Sequence, residues 1–192
     1  MRYWALSLWQ PSATLLVRGL KAIETRPWVA LRHKAFRTLA ERHIVCGDPL
    51  LIHAAKTVDG KAVANMRLAG GHPTTRWGIS EAEMGKWPRM AFVGTVEVFD
   101  ARMLTEADAA QACCPCAGRY GLLCCAAREF LEPVPARGRQ GFWQVDLALP
   151  PSRRFSVASE AVVRRLLSPT EWDFPEGADG PGRGNVPRPS AS

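Results

Sequence analysis

Apolar and polar residues alternate through Tyr3–Trp9, with Trp4, Leu6 and Leu8 on one face, and predict a strand. Pro11 suits the first turn of a helix whose apolar stripe is Ala13, Leu16, Val17 and Leu20, closed at Gly19. Ala22–Arg26, carrying Ile23 and Thr25, predicts a second strand that Pro27 stops. Leu31–Arg42 reads as a basic helix with Leu31, Ala35, Phe36 and Leu39 on its apolar side. Gly47-Asp48-Pro49 is a turn, and Leu50–Ala54 the strand after it. Residues 57 to 90 have no clear period, apart from a short helix near Ser80–Lys86. Met90–Phe99 is a Val- and Phe-rich strand, and Thr105 with Asp108 forms a capping box for a short helix through Ala112. Leu122–Ala127 and Phe142–Leu147 predict strands, and Ser156 caps a last helix over Val157–Leu167. About six short strands with helices between them predict an α+β chain: a small, partly open β-barrel with peripheral helices.

Composition narrows the class. The 192 residues are 47% apolar and 22% charged, ordinary globular values that argue against wholesale disorder, collagen-like repeats and coiled coil. No apolar run nears the roughly 20 residues of a membrane helix, so no membrane partner is expected. The first residues lack the pattern of a secretory signal, which leads to an expected cytoplasmic location. Residues 175–192 hold four Gly and four Pro with little to bury, and predict a disordered tail.

The net charge of +7 is uneven. Between residues 18 and 42, Arg18, Lys21, Arg26, Arg32, Lys34, Arg37 and Arg42 face only Glu24 and Glu41. Such an excess attracts polyanions, or else simply keeps a helix face solvated. The tail contributes none of it, because Glu176 and Asp179 cancel Arg183 and Arg188. Cysteines cluster as Cys113, Cys114, Cys116, Cys124 and Cys125, with Cys46 apart. Cys113 and Cys116 have a C-x-x-C spacing that fits a structural zinc. Neighbouring Cys124 and Cys125 would point to opposite strand faces, so the expectation is no cofactor and reduced thiols acting as small hydrophobes.

Certain residues resemble a known family. Ala5-Leu6-Ser7-Leu8-Trp9-Gln10-Pro11, then Gly19, Lys21, Glu24 and Arg26 filling G-x-K-x-x-E-x-R, resemble the opening of an ASCH (activating-signal-cointegrator homology) domain of phage and bacterial type. Leu51-Ile52-His53-Ala54-Ala55-Lys56 is similar to that family's next strand. Gly118-Arg119-Tyr120-Gly121, Glu132-Pro133-Val134-Pro135 and Gly141-Phe142-Trp143-Gln144-Val145 are similar to its closing segments. The likeness runs from about residue 3 to 147. Pro27–Cys46 is longer than the family pattern, and everything past Pro150 lies outside it. The chain is accordingly divided into a domain over 1–150, a helical extension over 151–174 and the tail.

The resemblance implies a PUA-like β-barrel and a cleft that binds RNA or a nucleotide, with DNA as a further polyanion. It implies a site of Lys21, Glu24, Arg26, Gln10, His53, Lys56, Arg119 and Tyr120, holding no metal. The residue types suit that role: Lys21 and Arg26 neutralise phosphate, Glu24 accepts from a base amino group or holds the cations, and Tyr120 offers a ring for stacking. The plainer reading of Lys21, Glu24 and Arg26 is an ion-pair network that fixes the strand. As an alternative, a hydrolase acting on RNA or a modified nucleoside would use Lys21 and Glu24 as its catalytic pair, provided burial lowers the Lys21 pKa. In the family's amidohydrolases a Thr stands where this chain has Glu24, and Thr25 falls on the opposite face. A third reading is a protein-interaction adaptor contacting partners through the Cys-rich loop.

Overall fold

A computed structural model describes residues 1–26, 48–58, 60–68 and 73–154. The expected helices at Leu31–Arg42 and Val157–Leu167, the tail, and Cys46 lie outside the described residues. Seven strands form one mixed sheet: β1 (Arg2–Gln10), β2 (Ile23–Arg26), β3 (Leu50–Val58), β4 (Ala91–Met103), β5 (Tyr120–Pro135), β6 (Phe142–Asp146) and β7 (Ser152–Arg154). Their order is β2-β5-β4-β3-β1-β6, with β7 also on β5. Among the described residues only β1 and β3 run parallel, and every other pairing is antiparallel. The sheet is open, with β2 and β6 at its ends.

Alternation in the strands sets the two faces. Leu6, Leu8, Leu50, Ile52 and Ala54 point to one side, where helix α1 (Ser12–Val17) lays Ala13, Leu16 and Val17 onto them. Burial of each Leu, Ile or Val among them is worth about 1.5–3 kcal/mol, which holds this six-residue helix where its propensity alone would not. Gln10 secures its start: its Oε1 accepts the Thr14 N–H, and its Nε2 donates to Thr14 Oγ1 and the Pro88 carbonyl. On the opposite side Ala5, Leu51, Phe92 and Phe130 gather with Tyr3, Trp143 and Val145.

β5 is much longer than the expected Leu122–Ala127, and β7 adds a seventh strand to the about six expected. β5 spans sixteen residues because its irregular register with β4, shifting at three places, lets one strand bend and continue. Its outer edge carries β2 on Tyr120–Leu123 and β7 on Arg128–Phe130. The sheet therefore continues past Pro150 into Ser152–Arg154, residues assigned on sequence to a helical extension. The weakly patterned stretch forms α2 (Gly60–Leu68), α3 (Pro73–Trp77) and α4 (Glu81–Gly85), the last capped by Ser80. Thr105 and Asp108 make the expected capping box, opening a 3₁₀ turn over Glu106–Asp108 and α5 (Ala109–Ala112). No helix among the described residues is long and apolar enough to cross a membrane.

Candidate functional site

The turn between α1 and β2 is fixed by main-chain bonds on both sides. Leu20 and Lys21 donate to the Leu15 carbonyl, Ala22 donates to Gln111, and Cys124 donates back to Ala22. This clamps Lys21 beside the start of β2, where Glu24 and Arg26, two residues apart, share one face. Lys21 Nζ lies 2.9 Å from Glu24 Oε2, with both side chains at 8% exposure or less. Arg26 approaches Glu24 Oε1 at 3.5 Å, an ion-pair distance too long for a good hydrogen bond. Arg26 Nε and Nη2 are out of water and make no hydrogen bond among the described residues, Nη2 having only the 3.5 Å ion-pair contact with Glu24.

The charge states follow from these contacts. Burial alone would drive the Lys21 ammonium towards neutrality, but the Glu24 carboxylate, with the Cys113 and Cys114 thiols beyond it, outweighs burial and raises its pKa. Burial likewise pushes the Glu24 carboxyl up, and the charges of Lys21 and Arg26, the Lys21 hydrogen bond and Arg119 together pull it down. Both groups are ionised at neutral pH, so one carboxylate serves two cations. A general base needs a deprotonated amine, and this site works against it at Lys21.

The structure brings Lys21, Glu24, Arg26 and Arg119 together, Arg119 lying exposed in the turn before β5. It does not bring in the other four expected residues. Gln10 is buried, with its amide used in capping α1. Tyr120, 7% exposed, sits in the core with its hydroxyl donating to the Ala101 carbonyl at 2.7 Å, so its ring is no stacking surface. Lys56 is exposed near the far end of β3. His53 stands on the other face of the sheet, among Phe92, Trp143 and Ala136. Its alternation with Ile52, whose side chain lies under α1, already fixes that direction.

Several arginines that swelled the basic count are committed internally. Arg102 grips Asp108 with two bonds of 2.9 and 2.8 Å, and Arg18 bonds Glu129 at 2.8 Å. Burial raises the pKa of the Cys113, Cys116 and Cys124 thiols. Cys113 packs with Leu15 and Trp87, while Cys116 packs with Ile23 and Leu104. Among the described residues no three His, Cys, Asp or Glu side chains converge as metal ligands. The chain matches no protein-family model, and no curated protein matches it.

His53 yields a pH prediction of its own. Burial lowers its pKa from the ordinary 6.5, only partly offset by its bond to the Ala136 carbonyl. The unfolded chain then binds the proton more readily than the folded one, so this residue's contribution is full above 6.5 and declines as pH falls towards the folded value. Between about pH 7.5 and 5 the thermal midpoint should drop more in wild type than in His53→Phe. Equal slopes in the two proteins would contradict this.

Proposed function

We propose that the chain is an RNA- or nucleotide-binding domain of the ASCH type, with that family's PUA-like barrel. Lys21, Arg26 and Arg119, arranged around Glu24, form its phosphate-binding edge. The observation that carries the reading is Arg26: two buried guanidinium nitrogens that make no hydrogen bond among the described residues, in a cluster with more cations than anions. A buried donor without an acceptor is costly, and a phosphate oxygen supplies both the acceptor and the missing negative charge. Glu24 acts as the strut that holds Lys21 and Arg26 in position, since its two oxygens face those cations rather than a base.

Fluorescence anisotropy of labelled single-stranded RNA at two salt concentrations tests this. Binding should weaken with salt, and Arg119→Ala, exposed and outside the core, should reduce the salt slope by about one. Arg26→Lys keeps the charge but loses the planar fork, and should cost about tenfold in affinity. Salt-insensitive binding, or wild-type affinity in both variants, would refute the assignment.

A further inference from the structure

We propose that His53, Ser7 and Trp143 form a second ligand site, on the sheet face away from Lys21, for a nucleobase: a planar heterocycle that donates an N–H. The segment from Ala136 to Gly141 is its displaceable plug. This goes beyond the phosphate-edge reading and does not rest on it.

His53 is 1% exposed, and its Nε2 lies 3.0 Å from the Ala136 carbonyl oxygen. A carbonyl only accepts, so the ring proton is on Nε2 and Nδ1 presents a bare lone pair. Among the described residues no donor reaches that lone pair. Its surroundings are the rings of Phe92 and Trp143, with centroids 5.6 and 6.1 Å away, and the main chain of Gly138. A Cβ on Gly138 would lie 2.4 Å from Nδ1 and 3.0 Å from Ser7 Oγ. The group facing the lone pair is therefore a backbone methylene, which gives no hydrogen bond. A buried acceptor left in this state favours any ligand that brings a donor.

The neighbouring groups narrow the ligand's shape. Ser7 stands directly across from His53 in the β1–β3 register, and its Oγ accepts the Trp143 indole N–H at 3.3 Å. Trp143 is half-buried, and the flat guanidinium of Arg139 lies over its ring at 5.9 Å. A heterocycle taking the place of that guanidinium would stack on Trp143 with its edge towards His53 and Ser7. Arg137 and Arg139, both exposed and both in the plug segment, are cations available to an attached phosphate once the plug moves. An apolar ligand would leave Nδ1 unsatisfied, and an anion there would meet a lone pair, so an N–H-bearing ring is the chemistry that fits.

The test is titration of the whole chain with the uncharged nucleosides cytidine and adenosine at millimolar concentration, read by long-range proton–nitrogen NMR of the histidine rings. Without phosphate, these probes do not report on the Lys21–Arg26 edge. At least one should move the His53 Nδ1 resonance saturably from an unbonded to a hydrogen-bonded position, and shift the Trp143 indole with it. His53→Phe should weaken that binding about tenfold or more, and Arg26→Lys should leave it unchanged. Gly138→Ala, whose added carbon collides with the ring, should lift the plug and tighten binding. His53 resonances unmoved by both nucleosides in the wild type would overturn the site, whatever the variants do. So would nucleoside binding that survives His53→Phe or is lost in Arg26→Lys, and weaker binding in Gly138→Ala would remove the plug.

Discussion

Glu24→Gln should be the most damaging single change in the charged cluster, lowering stability by about 3–5 kcal/mol. The reason is the ratio of charges rather than the strength of one bond. Lys21 at 2.9 Å and Arg26 at 3.5 Å share this carboxylate, and both Lys21 and Glu24 are nearly out of water. Neutralising Glu24 leaves two cations facing each other in a medium that screens poorly. Lys21→Met is milder, because Glu24 keeps Arg26 as a partner, and combining it with Glu24→Gln should recover part of the loss. Urea denaturation at constant m-value measures all three. A Glu24→Gln protein within about 1 kcal/mol of wild type would mean that the cluster is far wetter than its burial indicates.

The pH profile carries the same signature with a defined sign. The Glu24 pKa is depressed below its ordinary 4.5, so its contribution is complete above that value and vanishes on acidification through the folded pKa. The Lys21 pKa is raised above 10.5, so its contribution is complete below that value and is lost as pH climbs through the folded pKa. Glu24→Gln should remove Glu24's share of the acid limb, leaving the part that His53 and Asp108 contribute. Its remaining folded fraction should bind RNA no more weakly than wild type, because the substitution removes a negative charge from a phosphate-binding edge. Stability and affinity move in opposite directions here, which separates a strut from a base-reading carboxylate.

Much of the fold was legible because local chemistry and tertiary packing agree. Tyr3–Trp9, Ala22–Arg26 and Phe142–Leu147 alternate, and all lie in strands at almost those bounds. The Thr105–Asp108 capping box announced its turn through side-chain spacing alone. The extent of β5 was hidden, because Glu132, Pro133 and Pro135 are residue types depleted in strands. They are tolerated because that end of β5 extends beyond its pairing with β7. β7 was equally hidden: three residues of Ser and Arg carry no apolar period, and only the β5 edge makes them a strand.

In the site, the shared face of Glu24 and Arg26 followed from strand alternation, with Lys21 entering from the turn before β2. The placement of His53 relative to them did not, since it needs the strand order β2-β5-β4-β3, which no local pattern encodes. Tyr120 shows the same limit. It sits directly opposite Arg26 in the β2–β5 register, yet its ring turns into the core and its hydroxyl is spent on Ala101.

The second large effect is expected far from any charge, at Gly94. A Cβ there would lie 2.0 Å from the carbonyl oxygen of Arg128 and 2.9 Å from Val17 Cβ. The first obstacle is backbone, so no rotamer change relieves it; β4 and β5 must separate or α1 must lift. Overpacking of this kind should make Gly94→Ala cost about 3 kcal/mol, or roughly 10 °C in Tm for a domain of this size. Gly85→Ala is the control: it ends α4 with nothing within 4 Å, and should be neutral or slightly stabilising. The loss at Gly94 should also reach the candidate phosphate edge. Among the described residues β2 has no strand neighbour except β5, and Glu24 keeps its place through register with Leu122. A β5 pushed off β4 therefore carries Glu24 away from Lys21, whose main chain is held on α1. Hydrogen exchange should show β2 amides losing protection in Gly94→Ala, while β1 and β6, on the far side of the sheet, keep theirs. Uniform loss across all strands would instead mean that the sheet opens only as a whole.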